Sequence, residues 1–339
     1  GSSVWEEVLT QVGKKPLSVL PMRQVLKNRT GMNSAENYRS VFDSLRVNWE
    51  EADKNYSFVP VKEISQPGKF FTSYIYNHWM NNSTLLSYKT TFNQIPSFVQ
   101  IDFSGTEKKV VLPGNIFRES VNGRENWMVW SEQVPDLRWQ HSGRSIIRLL
   151  NVQSKLRMKV EPEFKAFSPA ISPDKMKIAV VETDFSNNYY LSVYRLHDGE
   201  LINRFQSDEN NYFFSPEWLN DEKIAVVILT DDGKRLAEVD FNSAKMNLLT
   251  TLNLNDVKQL KLSGEWLYFI SSYSGKNSLY RLNLDSKQIE LVYEPRFGAE
   301  SPAVSPDGRS VVLSDYTADG FRLIKVPTSH EKVVSVEHV

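Results

Sequence analysis

The chain has 339 residues, 40% of them hydrophobic, with 40 Lys and Arg against 41 Asp and Glu and a formal net charge of -1. That length holds one large repeat domain or two conventional ones, and the balanced charge excludes a broad positive field for nucleic acid or an anionic membrane surface. Cysteine is absent, which excludes disulfides, thiol nucleophiles and thiolate metal sites, and no run of about 18 apolar residues spans a bilayer as a helix.

Residues 1–55 carry helical periodicity. The opening Gly-Ser-Ser resembles a cloning scar, so the ends say nothing about targeting or further domains. Ser3 with Glu6 forms a capping-box pattern, and Trp5, Val8, Leu9 and Val12 share one face. Pro21 opens a second helix bearing Val25 and Leu26, which Gly31 closes. Asn33 with Glu36 caps a third, along which Tyr38, Val41, Phe42, Leu45 and Trp49 recur. Three short helices cannot bury such stripes among themselves, so the segment is expected to dock on the rest of the chain.

From about Tyr56 the period changes to two and turn signals multiply. The stretches "SPAISPDKMKIAVVE", "SPEWLNDEKIAVVIL" and "SPAVSPDGRSVVLSD" place Ile171, Trp218 and Val304 at one repeated position, and "KLSGEWLYFISS" adds Leu262. The steps between them are 47, 44 and 42 residues, the length of a four-strand unit. Trp79 extends the series backward, and Trp130 is placed near the same position in the intervening unit. One such sheet cannot cover both its faces, whereas sheets arranged radially cover each other. The prediction is a mainly β chain: a six-bladed β-propeller with four-stranded blades near 68–115, 116–163, 164–210, 211–256, 257–298 and 299–339, preceded by a small helical segment. Residues 56–67 are a connecting segment or a closure strand for the last blade, a place for which the terminal "EKVVSVEHV" competes.

These repeats resemble those of TolB-like six-bladed propellers, WD40-like units with a Ser-Pro-Asp-Gly turn between the first two strands. The resemblance covers residues 60–339 and is most specific in the third and sixth units. The helical "RQVLKNRTGMNSAENYRSVFDSLRVNWEEAD" is similar to the segment before such propellers in large exported proteins of Bacteroidetes-type bacteria. The resemblance implies a non-enzymatic platform for a protein or peptide in the periplasm or at the outer-membrane periphery. The alternatives are an accessory propeller that gates or positions substrate for a peptidase domain outside this chain, and a glycan- or small-molecule-binding protein.

Catalytic motifs are missing. His78, His141, His197, His330 and His338 make no His-Glu-x-x-His, and no Gly-x-Ser-x-Gly, P-loop or dinucleotide loop exists. A serine triad assembled from scattered loops stays open. Acidic stretches at 184–188, 230–233 and 315–320 fall where strands turn, and Asp, Asn and Gly serve backbone needs there, with calcium the alternative. No cofactor is expected, and the chain is expected to be monomeric.

The second unit is the least ordinary. "WMVWSEQVPDLRWQHSGR" concentrates tryptophan, arginine and carboxylates, the chemistry of binding hot spots. The expected binding residues are Trp130, Asp136, Arg138, Trp139 and His141, converging with Glu182, Asp184 and Asp315 around the channel mouth. The structural alternative has Trp127 and Trp130 facing neighbouring blades while Arg138 pairs with Asp136 or Glu132 to hold the loop.

Overall fold

A computed structural model of the chain describes residues 3–17, 19–54, 59, 61–66, 68–139, 143–330 and 333–336. The chain divides into two compact units, Gly1–Phe58 and Val59–Val339.

The first unit holds α1 (Val4–Lys14), α2 (Pro21–Thr30) and α3 (Ser34–Lys54). The caps work as the sequence predicts. The Ser3 hydroxyl accepts the Trp5 N–H at 3.1 Å, and the Glu6 carboxylate accepts the Ser3 N–H at 3.3 Å. Asn33 Oδ1 accepts from Ala35 and Glu36, while the Glu36 carboxylate accepts the Asn33 N–H at 2.7 Å. Each such cap contributes about 1 kcal/mol by satisfying amides that have no helical partner. An Arg29–Glu7 ion pair at 3.1 Å ties α2 to α1. Val8 and Val25 are buried, whereas Trp5, Leu9, Tyr38, Phe42 and Trp49 are exposed.

The second unit is a six-bladed β-propeller. Its innermost strands are Thr72–Asn81, Asn115–Arg124, Lys165–Ile171, Tyr212–Trp218, Val257–Ser263 and Ala299–Val304. In each blade the following strands add outward by antiparallel pairing in chain order. The second strands read as unbroken apolar runs because neighbouring blades cover both their faces: Ala179, Val180 and Val181 in the third blade and Ala225, Val226 and Val227 in the fourth have no exposed surface. Each such valine contributes about 1.5–3 kcal/mol by leaving water.

Closure uses the start of the unit. Lys62 and Glu63 pair with Lys325 and Ile324 as the outer strand of the sixth blade. The Ile64 N–H then donates to the Leu323 carbonyl at 2.8 Å, and the chain passes directly into the first blade. Of the C-terminal segment expected in the sixth blade, the described Val334 and Ser335 pair instead with Leu291 and Glu290 as a fifth strand of the fifth blade. Lys62 and Glu63 already fill the sixth-blade edge, and Val334 and Ser335 take the neighbouring one.

Every innermost strand bulges at one residue in the left-handed region: Tyr76, Glu119, Ser168, Ser215, Gln259 and Ser301, with φ between 46° and 60°. Such backbone costs about 1–3 kcal/mol per residue and persists only where surroundings impose it. Here hydrogen bonds between neighbouring blades do so at five of the six junctions. The Ser301 hydroxyl accepts the Tyr76 N–H at 2.9 Å, and the Tyr76 hydroxyl accepts the Glu119 N–H at 3.0 Å. Ser120 Oγ accepts the Ser168 N–H, Ser215 Oγ the Gln259 N–H, each at 3.0 Å, and Gln259 Oε1 the Ser301 N–H at 2.6 Å. The Ser-Pro pairs at 168–169, 215–216 and 301–302 thus mark the bulge. A second Ser-Pro, in "SPD", makes the next turn: Ser305 Oγ and Asp307 Oδ1 bond at 2.6 Å, and Asp307 accepts the Arg309 N–H.

The repeated position is occupied as expected in five units, and Trp218 and Trp79 play one role there. Each indole N–H donates to a carbonyl of the preceding blade, Ala170 at 2.9 Å and Ala303 at 2.8 Å. In the second unit the placement differs. Trp130 lies on the second strand (Trp127–Val134), paired with Val121, and Asn122 on the innermost strand holds the equivalent place.

Candidate functional site

A propeller has two faces. The upper one carries the turns from second to third strand and the connections to the next blade; the lower one carries the remaining turns. The predicted residues fall into two groups on this frame. Asp136, Arg138 and Trp139 occupy the second-to-third-strand loop of the second blade, and Asp184 opens the matching loop of the third, so these four share the upper face. His141 lies outside the described residues. Trp130, Glu182 and Asp315 belong to strands within the blades.

Within the loop, Asp136 Oδ1 accepts the N–H groups of Arg138 and Trp139, both at 2.8 Å. Those two bonds, Arg138 first, hold its carboxyl below the usual carboxylate range. This local turn projects Leu137, 103% exposed, and Trp139, 68% exposed. Asp184 builds a similar turn: it accepts from the Asn188 side chain, the Asn188 and Ser186 amides and the Tyr190 hydroxyl, and Asn188 chiefly lowers its carboxyl pKa. The turn projects Phe185, 102% exposed. Both carboxylates shape loops that present apolar side chains.

The inward group is committed to the fold. The Trp130 ring packs 5.4 Å from Phe98 of the first blade, and its N–H donates to Glu132 Oε1 at 2.7 Å. Glu182 has no exposed surface. It accepts from the Ser192 and Tyr194 hydroxyls and the Phe164 N–H, and pairs with Arg204 at 3.0 Å. Arg204 also lies over the Phe164 and Tyr190 rings, 4.6 and 5.2 Å from their centroids. Asp315 lies against Tyr293, and burial pushes its carboxyl up to about 6.

The channel is closed at its waist, where only about 50 Å³ is open. Gln259 Nε2 of the fifth blade donates to Glu119 Oε2 of the second at 3.0 Å, and Lys261 donates to Asn122 Oδ1 between the same two blades. Burial raises the Glu119 carboxyl pKa, against the pull of Lys258, and burial lowers that of Lys261, against Glu217. Below the waist a pocket of about 380 Å³ opens on the lower face, where His78, Arg124, Glu217 and Lys261 meet. Burial holds His78 neutral, with its pKa lowered to about 4, and its Nε2 lies 2.7 Å from the Glu125 carbonyl. Glu217 stands 3.8 Å from both Arg124 and Lys261, so these charges answer one another.

Sequence reasoning missed Leu137, Phe185, Phe92 and Phe297, all exposed on upper-face connections. The available signal was a large apolar residue inside a polar turn, as Phe185 in "DFSNN".

No established family profile matches the chain. A 67-residue stretch, 20% of the chain, is 34% identical to an uncharacterised protein of Agrobacterium fabrum, and the alignment spans 23% of that protein's length. The chain is similar in structure to a putative TolB from Agrobacterium tumefaciens, with a TM-score of 0.54 and 18% identity over 79% of this chain and 89% of that one. A puromycin-hydrolysing peptidase of Mycobacterium tuberculosis also scores 0.54, at 10% identity, covering 83% of this chain and 56% of that one. At these identities the likeness establishes the fold. The chain is a six-bladed propeller resembling TolB-like propellers, preceded by a small helical segment.

Proposed function

We propose that the chain is a non-enzymatic interaction platform that holds a protein or peptide segment on the upper face of its propeller, in the bacterial cell envelope. The observation that carries this reading is the concentration of exposed apolar side chains on upper-face loops: Phe92, Leu137, Trp139, Phe185 and Phe297, from four different blades or junctions. Lower-face turns offer far less, with Met176 and Leu156 as the exposed large apolar residues among those described. Exposed apolar side chains grouped on one surface mark binding sites, and aromatic anchors supply most of the energy at such sites. The closed waist favours a segment laid across the face over one threaded through the ring. The resemblance to TolB-like propellers supports the envelope location.

A random-peptide display selection against the intact chain tests this. We expect enrichment of peptides with aromatic or aliphatic residues. Binding of the best should weaken at least about 10-fold in Trp139→Ser/Phe185→Ser, the loss of roughly 1.4 kcal/mol, with Tm unchanged because both side chains are exposed. Failure to enrich any peptide, or affinity indifferent to the double substitution, contradicts the reading.

A further inference from the structure

A groove of about 890 Å³ opens on the upper face at the junction of the third and fourth blades. Its wall is aromatic: Tyr189 and Tyr212 meet edge to face at 4.8 Å, and Tyr212 lies 4.5 Å from Phe214. Carboxylates rim it, from Glu209 on one connection and from Asp231 and Asp232 on the adjacent turn. Two resident cations face this rim and both are engaged. Arg235 approaches Asp232 at 3.7 Å, while Lys234 pairs with Asp256 and lies over Phe214 at 4.8 Å.

Asn211 gives the groove its direction. Its side chain is 6% exposed, and its Nδ2 donates to the Leu229 carbonyl at 3.2 Å and to Glu209 at 3.4 Å. Its Oδ1 is buried and accepts no hydrogen bond. A buried acceptor without a donor costs about 1–3 kcal/mol, so such an atom at a groove wall points to a ligand that donates. Acidic rim, aromatic wall and orphan acceptor share one complement: a cation with several N–H groups and a flat face. A guanidinium has all three properties, since its donors form a rigid fork and its plane stacks on aromatic rings. The volume exceeds one side chain and accommodates flanking residues of a peptide as well.

We propose that this groove receives an arginine side chain of the segment bound on the upper face, an assignment that rests on the platform reading above. The test titrates the intact chain with a blocked glycine pentapeptide carrying a central arginine, read by amide NMR shifts. Its citrulline twin keeps the shape without the charge, and a lysine twin keeps the charge without the fork. The arginine peptide should saturably shift the amides of Asn210–Tyr212 and Thr230–Asp232, with both twins at least about 10-fold weaker. Asp231→Asn/Asp232→Asn, at exposed positions, should weaken the arginine peptide comparably and leave Tm unchanged. Absence of a saturable shift, equal binding of either twin, or indifference to the double substitution overturns the assignment. If display-selected peptides still bind the upper face in that event, only the arginine pocket falls; if they fail as well, both readings fall.

Discussion

Asp315 shows how one residue carries a measurable cost. Its Oδ1 is buried without a partner, and burial, aided by Glu63 and opposed by the Tyr293 hydrogen bond, raises its pKa from 3.8 to about 6. A folded-state value above the unfolded one means that the folded chain binds the proton more tightly, so stability falls as pH rises from about 4 to about 6 and stays reduced above that range. Asp315→Asn removes the charge and keeps an acceptor for Tyr293. It should raise Tm by about 2–4 °C at pH 7.5 and by little near pH 4; an equal or lower Tm at pH 7.5 contradicts the attribution. Gly320 marks the opposite case, where no side chain fits. Its φ is +112°, and an added Cβ would lie 2.1 Å from the Thr72 carbonyl oxygen. Gly320→Ala should cost about 2–4 kcal/mol through strain and clash together, read from denaturant midpoints. A neutral result would mean that this blade junction yields easily.

At the scale of elements, the inner-strand bulge unites the repeat. Ser301 sits there with φ 56° and its hydroxyl accepts the Tyr76 N–H. Ser301→Ala and Ser301→Gly both remove that acceptor, costing about 1–3 kcal/mol, but glycine also relieves the left-handed backbone by about 1 kcal/mol. The expected stability order is native, then glycine, then alanine, and an alanine variant at least as stable as the glycine one contradicts the strain argument. This element was legible in the sequence where Ser-Pro marks it. In the second blade it was not, because the bulge there is wider: the inner strand advances from Ile116 to Val121 while its partner moves from Glu132 to Trp130, against Phe167 to Ala170 and Val181 to Ala179 in the third. That shift drew Trp130 into the wrong strand of the alignment. The loop residues Asp136, Arg138 and Trp139 stood out because their chemistry is unusual for a turn. Glu182 looked equally available, yet its strand alternation turns it toward Arg204 inside the blade. The arginine groove left no sequence mark, since Tyr189 opens a strand of the third blade and Asn211 and Asp231 come from two separate connections, and these meet only when blades stack.

For the whole molecule, closure and function depend on the same ring. Ile64, 1% exposed, follows the strand that completes the sixth blade and packs with Leu323 and Trp79 across its junction with the first. Ile64→Ala should cost about 2–5 kcal/mol and lower Tm in one cooperative transition; a separate early transition would instead show that the closure opens on its own. The closed ring fixes the upper-face loops relative to one another, which a surface assembled from four blades or junctions requires. Hydrogen exchange of the intact chain, with and without a saturating display-selected peptide, shows whether the upper face is the binding surface. The peptide is expected to protect amides in the upper-face connections 135–139, 184–188 and 208–211 and to leave the lower-face turns 172–176, 264–265 and 305–309 unchanged. Protection confined to the lower-face turns, or none at saturation, would contradict the upper-face reading.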